Sequence, residues 1–181
     1  PYLREIDNGQ LPQANYNPAI AGVNLNLNRV QFEWARQAGG GYDLSMSAPG
    51  RIYRPQIPSI GMRVKERAAP SYAYQHAPER EQWSVQRAVL GKDGGRWLPA
   101  RNPRRYAGEA FQAICAQMGM ELPSPTIVEG QIPDAVMAVD IAQKESRPYY
   151  DIAKSMLKLS TNLTAEVIGL TASGAPTLRQ S

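Results

Sequence analysis

Val23-Asn-Leu-Asn-Leu-Asn-Arg-Val-Gln-Phe-Glu-Trp34 alternates apolar with polar side chains. A period of two marks a half-buried strand, because successive side chains leave opposite faces of an extended backbone. Val23, Leu25 and Leu27 take one face, with Asn24, Asn26 and Asn28 on the other. Val30, Phe32 and Trp34 continue the pattern against Gln31 and Glu33, so the stretch reads as one long bent strand or two. Gly39-Gly40-Gly41 follows as a turn, and Tyr42, Leu44 and Met46 alternate again. Residues 30–46 are therefore expected to form a hairpin.

Upstream of this pattern, Leu11-Pro12 and Asn17-Pro18 break any regular element, and residues 1–21 read as irregular. Downstream, residues 48–82 carry Pro49, Pro55, Pro58, Pro70 and Pro78 and little periodicity, which predicts loops with short edge strands such as 62–67. Residues 83–89 alternate as a strand, Lys92-Asp-Gly-Gly95 reads as its turn and 96–100 as its partner. The clearest helix comes next. Asn102 is a good N-cap and Pro103 suits the first helical position. Ala107, Ala110, Phe111, Ile114 and Met118 make an apolar face at 3/4 spacing, and Gly119 is a natural stop. Short strands are expected at 126–129 and 136–142. Arg147-Pro148 opens a helix with Tyr149, Ile152, Ala153, Met156 and Leu157 on one face, ending near Ser160. A last helix spans about 163–171, with Val167 and Leu170 on its buried side. No sheet or bundle follows to cover it, so this helical end reads as part of a domain whose remainder lies elsewhere.

Composition narrows the chemistry. The chain has 181 residues, 43% of them hydrophobic and 20% charged, enough for a packed core. Gly and Pro number 15 each, which favours many turns and short elements. A single Cys and a single His exclude an intramolecular disulfide and a Cys/His zinc site, and a Ser-His-Asp triad would have to use His76 alone. Catalysis through Ser, Lys, Asp or Glu stays open. The net charge is +4, carried mostly by Arg, which suits an anionic polymer or a membrane surface and is also an ordinary surface composition. No apolar run approaches the roughly 20 residues of a membrane-spanning helix.

Each local motif has a plain alternative. Gly39–Gly41 lacks the following helix of a phosphate loop and is better read as a hairpin turn. Arg101, Arg104 and Arg105 could hold an anionic polymer, but pairing with carboxylates such as Glu109 is the simpler reading. His76 reads as a surface histidine in a Pro-rich loop, and Cys115 as core or near-core beside Phe111. Ser155-Met-Leu-Lys158 matches S-x-x-K, in which a Ser attacks an acyl carbonyl and a Lys one turn on takes its proton. A working pair sits at the exposed start of a helix, whereas these residues fall near the end of one, so the match is read as a decoy. Ser160-Thr161-Asn162 sits in the break between two helices, where Ser and Asn are ordinary capping residues. On pattern alone, capping is the better reading.

Longer strings change that reading. Asn17-Pro-Ala-Ile-Ala-Gly-Val-Asn-Leu-Asn-Leu-Asn-Arg-Val-Gln-Phe-Glu-Trp34 resembles the inserted-domain segment of the D-alanyl-D-alanine carboxypeptidase/endopeptidase family, the class C low-molecular-mass penicillin-binding proteins. Arg96-Trp-Leu-Pro-Ala-Arg-Asn-Pro-Arg-Arg-Tyr-Ala-Gly-Glu-Ala-Phe111 resembles the same family's strand–loop–helix. Tyr150-Asp-Ile-Ala-Lys-Ser-Met-Leu-Lys-Leu-Ser-Thr-Asn-Leu-Thr-Ala-Glu166 is similar to its second catalytic motif with both flanking helices. The strings stand in the family's order and cover under half of the chain.

The resemblance implies an α+β chain in two parts. Residues 1–143 would be a β-rich inserted accessory region with one main helix. Residues 144–181 would be a helical segment of the penicillin-binding (β-lactamase/transpeptidase-like) catalytic domain. It implies that Ser160 and Asn162 are the S-x-N motif, with Ser160 in the proton network and Asn162 bonding the substrate backbone or the general-base Lys. Thr161 departs from the more familiar Asp or Asn at the centre of that motif. The family's nucleophilic S-x-x-K belongs upstream and its K-T-G strand downstream. No K-[ST]-G occurs here, and Lys92-Asp93-Gly94 is no substitute. The start at Pro1 without a Met fits a trimmed piece. The expectation is a fragment of a periplasmic serine-type carboxypeptidase that is inactive alone. Its parent would act on peptidoglycan stem peptides through an acyl-enzyme and would react with β-lactams. No cofactor, metal or nucleic-acid partner is expected, and a membrane surface stays among the partners that the charge allows. The competing reading is a non-catalytic binding or structural module with an Arg-rich polymer-binding face.

Overall fold

The computed structural model describes residues 3–66, 68–77, 80–128 and 142–174. Among the described residues six strands and three helices make an α+β fold: β1 (Arg29–Arg36), β2 (Tyr42–Ser47), β3 (Ile60–Lys65), β4 (Tyr72–Ala77), β5 (Arg80–Gln86), β6 (Asp93–Pro99), α1 (Pro103–Gln117), α2 (Tyr149–Leu159) and α3 (Asn162–Ser173). The strands form two three-stranded sheets, β2-β1-β6 and β3-β5-β4. Their buried faces share one core. Val30, Phe32 and Leu98 from the first sheet, Ile60, Trp83 and Val85 from the second, and Tyr106 and Ala110 of α1 all belong to it.

The expected hairpin is present, with β1 and β2 antiparallel from Gln31↔Ser47 to Arg36↔Tyr42. Its other half needs correction. Residues 26–28 are not a strand: Asn26, Leu27 and Asn28 have φ of 52°, 56° and 51°. The asparagines that looked like an outer strand face supply turn chemistry instead, since Asn tolerates the left-handed region and bonds nearby backbone. Asn28 Nδ2 donates to the Ala19 carbonyl at 2.9 Å, and its Oδ1 accepts from Leu25 N at 3.2 Å. The left-handed run turns Leu27 away from the sheet core and packs it on Ile20 and α3.

The second half of the strand reading also changes. β5 ends at Gln86, and Arg87–Val89 form a 3-10 turn. β6 pairs with β1, not β5. Gly94 and Gly95 are strand residues, not a turn. Gly94 sits opposite Trp34, and a Cβ there would lie 2.4 Å from the indole Cζ2. Only a glycine lets β6 pass so close to the ring. Gly94→Val should therefore cost about 2 kcal/mol in urea unfolding. Gly95→Ala should cost clearly less, because its Cβ would meet the amide end of Gln31, which can swing away. The Pro-rich region holds two full strands, β3 and β4. His76 is exposed on β4 and does not lie in a loop.

α1 begins as its sequence dictates, with Asn102 Oδ1 accepting from Arg105 N at 3.2 Å and Pro103 in the first turn. Its buried side is Pro103, Tyr106, Ala110 and Cys115, while Phe111 is 63% exposed. The rotation follows Tyr106. Its buried hydroxyl donates to the Arg29 carbonyl at 2.8 Å and accepts from Asn26 Nδ2 at 3.3 Å. A buried phenol needs such partners, and burial raises its pKa to about 12. Gly119 stops the helix at φ 82°. Residues 126–128 form no strand, and the strand expected at 136–142 falls almost wholly outside the described residues. The last helix is not left bare. Leu163 and Leu170 of α3 are buried against Ile20, with Leu3, Ile6, Leu27 and Val167 around them. The cover comes from the irregular amino-terminal segment, which has no periodic pattern to announce it.

Candidate functional site

Ser160 and Asn162 stand at the junction of α2 and α3. Ser160 ends α2 with φ 50°, and its backbone N–H returns to the Met156 carbonyl. A left-handed Ser lacks the freedom of Gly, and such a conformation costs roughly 1 kcal/mol. Thr161 holds the N-cap position of α3 but makes no side-chain cap bond. The capping expected on pattern alone is therefore not what these side chains do. Asn162 Nδ2 instead donates across the chain to the Tyr16 carbonyl at 3.3 Å. The first-turn N–H groups of α3 keep their positive character at the junction.

The junction borders a cavity of about 190 Å³. One wall is Leu159, Ser160, Thr161, Asn162 and Leu163; the other includes Asn15, Tyr16 and Arg29. The cavity therefore exists only because the amino-terminal segment docks on α3. Arg29 enters from the start of β1, its guanidinium 5.2 Å over the Trp97 ring. Burial lowers its pKa, with Tyr106 opposing the shift. Sequence reasoning missed Tyr16 and Arg29. The hydrogen bond between Tyr16 and Asn162 links positions 146 residues apart, so no local pattern could reveal it.

A hydroxyl can donate and accept, and a primary amide offers both functions to a peptide bond. The junction thus combines a proton-passing group with a backbone-recognising one in a polar cleft. Ser155 and Lys158 lie on the last turns of α2, and neither lines this cavity. No cluster of His, Cys, Asp and Glu suited to a metal occurs among the described residues. No helix among them is long and apolar enough to cross a membrane.

The Arg cluster is divided. Arg105 lies 4.0 Å from Glu109, in the simple pairing expected. Arg101 is only 3% exposed and turns inward, so it contributes nothing to a surface for polymers. Glu81, also 3% exposed, accepts from the backbone N–H of Arg101 at 2.9 Å and of Asn102 at 2.7 Å. Burial raises the Glu81 pKa to about 7 despite those two bonds and the nearby Arg101 charge.

A family model described as D-Ala-D-Ala carboxypeptidase 3 (S13) matches residues 10–180. Two similar solved structures are of penicillin binding protein 4 (dacB) from Haemophilus influenzae. One, complexed with a novel β-lactam, is 21% identical with a TM-score of 0.50, over 81% of this chain and 33% of that one. The other is 21% identical with a TM-score of 0.55, over 91% of this chain and 36% of that one. The chain thus spans about a third of the length of the structures it matches. No curated protein matches it.

Proposed function

The chain belongs to the D-Ala-D-Ala carboxypeptidase 3 (S13) family, and from that premise we propose that it is the accessory region and S-x-N junction of a serine-type enzyme acting on peptidoglycan stem peptides. The division of labour is 1–143 for the inserted accessory region and 144–181 for the catalytic-domain segment. Ser160 relays a proton between a nucleophilic serine and the leaving D-alanine amine. Asn162 holds the peptide backbone or the general-base lysine. The nucleophile and the K-T-G strand come from other parts of a longer polypeptide, which forms and then hydrolyses an acyl-enzyme. The same serine takes β-lactams, and the enzyme works in the periplasm. The observation that carries the reading is the Ser160–Asn162 junction, with uncapped side chains, opening on a cavity in a chain of this family.

Labelled penicillin tests it in two steps. The 181-residue chain alone should take no covalent label, and label on Ser155 would overturn the decoy reading. In a longer polypeptide that carries the nucleophile, Asn162→Ala should slow acylation about a hundredfold, the scale of losing one preorganised donor. Unchanged acylation would remove Asn162 from the site.

A further inference from the structure

Arg101 links the accessory sheets to the candidate site. It follows β6 and precedes α1, and its guanidinium reaches into the irregular amino-terminal segment. Nη1 donates to the Asn17 carbonyl at 2.8 Å and the Arg4 carbonyl at 3.1 Å, and Nη2 to the Pro12 carbonyl at 3.1 Å. Glu5 lies 3.5 Å from the same group. One buried fork therefore gathers three turns of a segment that has almost no regular structure. Asn17 completes the knot from inside, its Oδ1 accepting from Ile6 N and Asp7 N and its Nδ2 donating to the Asp7 carbonyl. Tyr16 lies between the Pro12 and Asn17 anchors, and its carbonyl holds Asn162 Nδ2.

We propose that Arg101 is a positioning residue for the S-x-N junction: it fixes the 12–17 segment, and through the Tyr16 carbonyl it sets the orientation of the Asn162 amide. The role rests on the proposed function of Asn162. A planar guanidinium suits it because two nitrogens at a fixed spacing address three carbonyls at once. Lysine keeps the charge but presents a single ammonium, so Arg101→Lys separates the fork from the charge. The anchor also explains a charged side chain taken out of water, a costly placement unless it is fully bonded.

The test compares Arg101→Lys with Val64→Ala, a β3 variant packed against the shared core that serves as a stability control. In the 181-residue chain, Arg101→Lys should raise amide exchange across residues 12–17 at least tenfold and shift the Asn162 side-chain amide resonances. Val64→Ala should do neither, even at a similar drop in melting temperature. In the longer, penicillin-reactive polypeptide, Arg101→Lys should slow acylation about tenfold with Val64→Ala unchanged. If Arg101→Lys leaves the Asn162 resonances and the exchange of 12–17 unmoved, or if Val64→Ala changes them equally, the positioning role is overturned. If those resonances shift but neither Arg101→Lys nor Asn162→Ala affects acylation, the pin stands and the proposed role of Asn162 fails.

Discussion

Glu81→Leu should destabilise the chain by about 4 kcal/mol at pH 5 and by only about 1 kcal/mol at pH 8, measured by urea unfolding. The size comes from removing a buried acceptor that serves the backbone N–H groups of Arg101 and Asn102 and sits beside the Arg101 charge. The direction with pH comes from its titration. The unfolded carboxyl titrates near 4.5, and burial raises the folded value to about 7. The folded state therefore holds an extra proton between those values. The stabilisation from that proton is complete below about pH 4.5 and is lost as pH rises through about 7, which amounts to about 3 kcal/mol. The leucine variant lacks this dependence, so the two curves converge at high pH. A simple buried ion pair would give the opposite trend, with the penalty growing as the carboxyl ionises. Among the surrounding charges Arg101 favours the ionised form and Glu109 opposes it; Arg80, Arg105 and His76 line the same small cavity. A penalty that increases from pH 5 to pH 8 would mean that the backbone donors and the Arg101 charge outweigh burial.

What could be read in the sequence was what is local. The β1–β2 hairpin was legible because the glycine turn and both alternating arms lie within one short stretch. The start of α1 was legible because Asn102 and Pro103 act within a single turn. Pairing between distant strands was not. Lys92-Asp-Gly-Gly95 looks like a turn, and only the Trp34 ring, brought alongside by β1, explains why two glycines sit inside a strand. The Val23–Leu27 alternation failed for another reason. Its asparagines satisfy a strand's polar face and a left-handed turn equally well, and the decision came from Ala19, Pro49 and Tyr106, which are distant or irregular in sequence. The candidate site divides in the same way. Ser160 and Asn162 stood out through resemblance, since pattern alone favoured capping. Tyr16, Arg29 and the anchoring role of Arg101 depend on contacts across most of the chain, whereas the sequence suggested for Arg101 only pairing with local carboxylates.

Trp83→Ala should cost about 4 kcal/mol, with a loss of amide protection concentrated in β3, β5 and β4. Trp83 is fully buried on the central strand of its sheet, paired in register with Met62 on β3 and Tyr74 on β4. Its ring lies 5.0 Å from that of Tyr74 at 59°. Removing the indole deletes transfer energy and leaves a cavity between two sheets, the combination behind the largest core penalties. The indole N–H makes no hydrogen bond among the described residues, so part of the native contribution is already offset. Trp83→Phe removes that N–H and keeps an aromatic pair, and it should fall within about 1 kcal/mol of the native chain. Glu81 lies two positions earlier on β5, on the same inward face, so the two sites share packing. The double variant Glu81→Leu/Trp83→Ala should therefore lose less than the two single losses together, by at least about 1 kcal/mol. Strict additivity would mean that Glu81 and Trp83, though neighbours on one face of β5, do not share packing.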